Sequence, residues 1–173
     1  MKTREITVVG DIAYVPLTQG YTAIIDAADA GLVGQWSWYA ITWPNRPTYA
    51  ARKVNKSDGA QSILRLHKFI FNPMSEIQID HINGNGLDNR RANLRTATDS
   101  ENQRNRGAQK NSTSGFKGVS LEKKGGKWRA KINVNKKVHH LGYHDTPEIA
   151  YAVYCEAAKK HHGEFANVDA VRF

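Results

Sequence analysis

Apolar residues in the first third of the chain come in short alternating bursts. ITVV, IAYV and YTAII, between residues 4 and 25, are separated by Gly-Asp and Gln-Gly turn signals, the pattern of half-buried strands joined by tight turns. Asp26 to Val33 then changes period and predicts one or two helical turns, with Asp26 as cap and Gly31 or Gly34 as exit. Trp36, Trp38, Tyr39 and Trp43 follow at strand-like spacing among apolar neighbours, which assigns the tryptophans to a core rather than to a base-stacking platform. Residues 49–54 and 62–66 predict two more strands, with turns at Asn45-Arg46-Pro47 and Lys56-Ser57-Asp58-Gly59. His67 to Phe71 predicts a short helix ended by Asn72-Pro73, because a residue before proline is driven out of the α region. His67 reads as a packing histidine, with a phosphate contact as the alternative.

Further on, Ile77, Ile79 and Ile82 mark the apolar side of a strand, Asn83-Gly84-Asn85-Gly86 a tight turn, and residues 94–97 a returning strand. Thr98-Asp99-Ser100-Glu101 is a capping box that opens a helix to about Arg106. Asn111-Ser112-Thr113-Ser114-Gly115 reads as a linker. Three strands are then expected at 116–121, 127–134 and 137–141, with turns at Gly125-Gly126 and Asn135-Lys136. Trp128, Ala130 and Ile132 fall on one face of the middle strand, and Arg129, Lys131 and Asn133 on the other. A helix at 147–162, with Thr146 as cap, Pro147 at its first position and Gly163 beyond its end, covers the apolar face. Ala150, Ala152, Ala157 and Ala158 let that helix lie close, and Cys155 is a small packed residue. The fold class is α+β in three parts: a β-rich unit at 1–66, a ββα unit at 67–110, and a three-stranded antiparallel sheet on one helix at 111–173.

Charge sharpens this picture. Residues 100–140 carry eleven Lys and Arg against two Glu, so the whole net charge of +9 resides there. A polyanion would meet this one segment; a basic face kept for solubility is the bland alternative. A lone cysteine excludes an internal disulfide and a cysteine-based zinc knuckle and fits a reducing compartment. No long apolar run and no leader pattern appears, so neither a membrane span nor a signal peptide is expected.

The chemistry concentrates in EIQIDHINGNGLDNRRANLRTATDSENQRNR, residues 76–106. Phosphodiester hydrolysis requires charge neutralised on the phosphate and a water deprotonated in line with the bond. Asp80 and Asn102 offer a carboxylate and an amide oxygen, hard ligands suited to magnesium or manganese rather than zinc. His81, whose ordinary pKa lies near 6.5, can take the water's proton. Asn93 is expected to bond the loop backbone and fix where His81 points. Adjacent strand residues face opposite ways, so the chain is expected to leave strand geometry at the Asp80–His81 pair.

The conjunction of DHINGN, LDNRRANLR and ENQRN resembles the HNH nuclease motif of phage and intron-encoded homing endonucleases. The resemblance implies a ββα-metal fold, Asp80 and Asn102 as metal ligands, His81 as general base and Asn93 as the orienting residue, with no structural zinc. The tail, SGFKGV through KWRAKI to GEFANVD, resembles the APETALA2-type DNA-binding domain. That likeness makes Lys117, Ser120, Glu122, Arg129, Lys131, Asn133, Val138 and His140 the DNA-facing positions. Lys117, Ser120, Glu122, Asn133 and Val138 stand where plant members carry arginine, so the target sequence does not carry over. Arg104, Arg106 and Lys110 are expected on backbone phosphates.

Together these features indicate a metal-dependent homing-type endonuclease acting on double-stranded DNA. No membrane association and no obligatory protein partner are expected, and the setting is intracellular, a bacterial or phage-infected cytoplasm. A non-catalytic DNA-binding regulator is the rival reading. An RNA-directed nuclease is disfavoured, because no aromatic ladder lies on the basic face.

Overall fold

Strand alternation builds the first part of the chain around one apolar seam. The computed structural model describes residues 4–44, 46–71, 77–108 and 112–168. Strands β1 (Thr7–Val9), β2 (Ile12–Pro16) and β3 (Thr22–Asp26) form an antiparallel meander. Ala13 and Val15 of β2 and Ala23 and Ile25 of β3 point inward and are almost fully buried. Helix α1 (Ala30–Val33) adds Val33 to this seam. A second meander, β4 (Tyr39–Ile41), β5 (Tyr49–Asn55) and β6 (Gln61–Arg65), adds Ala40 and Ala50. Helix α2 (Leu66–Phe71) presents Leu66 and Ile70, one turn apart, to the same core. The two-stranded ribbon of β7 (Gln78–His81) and β8 (Leu94–Ala97) belongs to this same unit, Met1–Thr98.

The expected core tryptophans divide. Trp38 is 2% exposed and donates its indole N–H to the Val33 carbonyl at 3.0 Å, whereas Trp36 and Trp43 are 44% and 38% exposed. Cationic neighbours take the place of a core for the latter two. The Arg52 guanidinium lies 3.8 Å from the Trp36 ring centroid, and that of Arg65 lies 6.0 Å from Trp43. Ile77 and Ile82, assigned to the apolar side of a strand, are exposed as well; only Ile79 is buried. Asp26 makes no side-chain cap and instead accepts the Arg91 backbone N–H at 2.8 Å. The expected turns at Asn45 and at Asn72-Pro73 include positions outside the described residues.

The second unit, Asp99–Phe173, begins with helix α3 (Asp99–Arg104). Its sheet, ordered β11-β10-β9, is antiparallel: β9 (Val119–Leu121), β10 (Trp128–Val134) and β11 (Lys137–His144). Helix α4 (Pro147–His162) covers one face, with the Thr146 hydroxyl accepting the Ile149 N–H at 3.3 Å as its cap. Ala150, Tyr151, Tyr154 and Ala158 form its buried stripe over Val119, Ala130 and Ile132. Ala152, expected against the sheet, is exposed, because it lies off the stripe set by positions 150, 154 and 158. The strand expected from Phe116 starts only at Val119. Gly118 intervenes at φ +75°, and a Cβ there would sit 2.3 Å from the Tyr154 ring. Burial pushes the Tyr154 phenol up to about 12.

Candidate active site and nucleic-acid face

The β7–β8 register pairs Asp80 with Arg95 and His81 with Leu94. The expected departure from strand geometry at Asp80–His81 is therefore corrected: the ladder runs through both residues, and the turn opens only at Ile82, whose N–H donates to Asn93 O at 2.9 Å. Regular alternation turns the two side chains to opposite faces. Asp80, 7% exposed, receives Nε and Nη2 of Arg95 on Oδ2 at 3.2 and 3.0 Å. His81, 4% exposed, lies against the rings of His67 and Tyr49, with centroids 4.8 and 5.8 Å away.

What holds His81 is Asn89, a fully buried residue of the loop between the two strands. Asn89 Oδ1 lies 3.3 Å from His81 Nε2, while Asn89 Nδ2 donates to Leu87 O at 3.0 Å. That second bond orients the amide with its carbonyl toward the ring. His81 Nε2 is then the donor, and Nδ1 keeps its lone pair. The loop is clipped to β3 by Ile24 N–H to Leu87 O at 2.8 Å and Asn89 N–H to Ile24 O at 2.7 Å. Arg91 adds a two-pronged bond to the buried Asp29, at 3.1 and 2.8 Å.

Asn93 ties the two ends of the loop together. Its Oδ1 accepts the Asn83 N–H at 3.0 Å, and its Nδ2 donates to Asn83 Oδ1 at 3.0 Å and Asp88 O at 2.7 Å. Asp88 takes Arg90 on both oxygens, and that guanidinium holds its carboxyl below the usual range. Gly86 rests on Tyr49; a Cβ there would come 2.6 Å from the ring. The Asn83–Gly86 stretch is thus the start of a longer loop rather than a two-residue turn, because its asparagines bond forward to Asn85 and Leu87 N–H groups.

Burial lowers the pKa of both histidines. His67 is pushed down to about 2, first by desolvation and then by the charges of His81, Arg65 and Lys68. His81 is lowered by desolvation, opposed by its bond to Asn89 and by the carboxylates of Asp80 and Asp88. Two neutral rings therefore meet edge to face. His67 Nδ1 is buried with no hydrogen-bond partner among the described residues.

The oxygens of Asp80 and Asn102 are donors of the kind a hard divalent cation takes. Among the described residues no group of three His, Cys, Asp or Glu gathers around a point. A protein offering one carboxylate and one amide leaves most of the coordination shell to phosphate and water, as magnesium-type ions prefer. Asn102 lies on α3, in the second unit.

In that second unit the outward face of the sheet follows from register. Ser120, Arg129 and Tyr143 form one cross-strand row, Lys131 and His140 the next, and Asn133 and Val138 the last. Arg129 Nη2 donates to Ser120 Oγ at 3.4 Å. A bulge between Ala130 and Lys131 of the β10–β11 ladder, beside Gly142 at φ +108°, shifts the alternation of β11. It brings Tyr143, 58% exposed, onto the same face as His140, a residue the plain period-two reading assigns inward. Lys117 is turned elsewhere: its ammonium donates to the carbonyls of Arg104 and Arg106, at the end of α3. Lys110 lies outside the described residues. Asn89, Tyr49 and Arg95 were not singled out as site residues by sequence, and His67 was read as a packing histidine; nothing in LDNRRANLR marks Asn89 as the asparagine that meets His81.

Residues 73–104, which contain Asp80, His81, Asn89, Asn93 and Asn102, match the HNH endonuclease family. Over 88 residues the chain is 38% identical to Protein 3.8 of Escherichia phage T7, covering 51% of this chain and 72% of that protein. Over 180 residues it is 26% identical to Uncharacterized HNH endonuclease L560 of Acanthamoeba polyphaga mimivirus, covering 99% of this chain and 88% of that protein. No solved structure matches it. The chain belongs to the HNH endonuclease family and is a nuclease, a phosphodiester hydrolase with viral relatives. An endonuclease domain of this family implies DNA as substrate, and its members generally use a divalent metal ion. No helix among the described residues is long and apolar enough to cross a membrane.

Proposed function

We propose that this chain is a homing-type DNA endonuclease in which His81 is the general base and Asp80 and Asn102 hold one magnesium or manganese ion. The observation that carries the reading is the Asn89–His81 contact: a buried amide oxygen on Nε2 presents a neutral imidazole with a basic Nδ1. A water beside Nδ1 loses its proton to that nitrogen as its oxygen attacks phosphorus. Because regular alternation sends Asp80 and His81 to opposite faces of β7, one phosphodiester meets both only when the ribbon turns at that pair as ion and substrate bind. When bound, the cation supplies neutralisation of the phosphate and the leaving oxygen. Asn93 holds the loop that carries Asn89 and so acts on His81 at one remove.

The second unit then serves as the grip. Its sheet on one helix supports the APETALA2-like reading, with Ser120, Arg129, Lys131, Asn133 and His140 toward the major groove and Tyr143 added to them. Arg104, Arg106 and Lys110 meet backbone phosphates, and Lys117 contributes by fixing the chain between the first two.

The test uses supercoiled plasmid and phage DNA with the full chain, adding magnesium, manganese or a chelator. Cleavage by wild type with either ion, lost with chelator and with His81→Ala, is the expected result. Inertness of wild type on broad DNA substrates with every divalent ion would overturn the proposal.

A further inference from the structure

The outer face of the β4-β5-β6 sheet runs up to the histidine pair. Register places Ile41 opposite Tyr49, Ile63 opposite Lys53 and Arg65 opposite Ala51, all on this face. Trp43, just after β4, and Lys68, on α2, complete a recess of about 270 Å³ lined by Ile41, Trp43, Ile63, Arg65 and Lys68. Two cations, three apolar side chains and no carboxylate make up that lining. Ile63 is 58% exposed and Trp43 38%, so the apolar floor is open to a partner rather than covered by the fold. The Arg65 guanidinium sits 4.8 Å from the Tyr49 ring, and that ring is 5.8 Å from His81, so the recess lies one aromatic ring from the proposed base.

A single DNA strand offers the complementary surface: phosphates at its edge and apolar deoxyribose faces between them. We infer that this recess holds the sugar–phosphate backbone of the cleaved strand beside the bond that is cut. Arg65 and Lys68 take phosphates there, and Ile63 and Trp43 pack on deoxyribose. The inference rests on the proposed role of His81 for its position relative to the cut, but the binding itself is measured without cleavage. It makes the N-terminal sheets part of the substrate site as well as a support for the loop.

The experiment compares full-length His81→Ala with His81→Ala carrying R65Q and K68Q. The probe is a duplex oligonucleotide spanning a cut that wild type makes in plasmid DNA, or a random-sequence duplex if there is none. Loss of two phosphate contacts lowers the slope of log affinity against log salt by about 1.8. Phosphate-ethylation interference within a few nucleotides of the cut is expected to vanish in the double variant, and to persist in a K159Q/K160Q control on α4. An unchanged slope with intact interference, in a variant whose thermal melt matches wild type, overturns the inference; so does failure of wild type to bind any duplex. If wild type never cuts but R65Q/K68Q still lowers the slope, the proposed role of His81 falls and the DNA contact stands. If wild type cuts and the slope does not move, the reverse holds.

Discussion

Asn89 does at the residue scale what the Asp of a catalytic triad does elsewhere: it selects which imidazole nitrogen carries the proton. Its amide cannot swing freely, because Nδ2 is spent on Leu87 O. Asn89→Leu keeps volume but removes the acceptor, so the imidazole loses its orientation. The expected cost is about 10²-fold in single-turnover cleavage with little change in DNA affinity. Asn89→Asp, which keeps an acceptor, restores part of the rate. The ¹⁵N shifts of the His81 ring, measured in the metal-free protein, separate this from general loosening: the Nε2–H form dominates in wild type and mixes with the other tautomer in Asn89→Leu. Gly86 bears on His81 through Tyr49, whose ring lies 5.8 Å from the imidazole. With a Cβ only 2.6 Å from the Tyr49 ring, Gly86→Ala displaces Tyr49. Overpacking of this kind costs about 1–3 kcal/mol, read by denaturant unfolding, together with a loss of cleavage.

Among the elements, α4 and the strands it covers show most directly how side chains set stability. Gly118 at φ +75° lies under Tyr154, so Gly118→Ala meets both a forbidden backbone region and a ring 2.3 Å away. A loss of about 2 kcal/mol or more is expected for the second unit, measured by thermal or denaturant unfolding. His162 closes the same helix, with Nε2 donating to Asn133 O at 3.0 Å. Burial lowers its pKa, opposed by that bond and reinforced by Arg104, Lys117 and His161. The fold therefore holds the neutral ring, and the unfolded chain binds its proton more readily. Its contribution is complete above about pH 6.5 and declines as pH falls from there through the lower folded value. The difference between unfolding midpoints at pH near 7.5 and near 5 should be smaller in His162→Gln than in wild type, the remainder being carried by His67 and His81.

Within Met1–Thr98, the first meander bears on catalysis through the loop it holds. Ile24, Asp26 and Asp29 grip residues 87–91, and that grip sets Asn89 against His81. Binding is expected to separate from chemistry across the whole protein. Arg129→Ala should weaken duplex binding and reduce its salt slope by about 0.9, one phosphate contact, while cleavage at saturating DNA persists. His81→Ala should abolish cleavage with the salt slope unchanged. Gel-shift titrations over a salt series, paired with plasmid nicking, check both outcomes.

Local pattern was enough to place most strands, the α4 helix with its Thr146 cap, and the run from Asp80 to Asn102, because period, turn chemistry and motif spacing are written in neighbouring residues. It also put Arg129, Lys131 and Asn133 on one face, since strand alternation is a local property. Contacts between distant segments decided the rest. Asn89, rather than Asn93, came against His81 because Ile24 and Leu87 hold it there. Trp36 and Trp43 stayed at the surface, each beside an arginine from another strand. Tyr143 reached the basic face through a bulge whose register only the paired strand defines. Lys117 was drawn from the expected DNA face to two carbonyls near the end of α3. In each case the side chain's own chemistry allowed several fates, and the neighbour supplied by tertiary folding selected one.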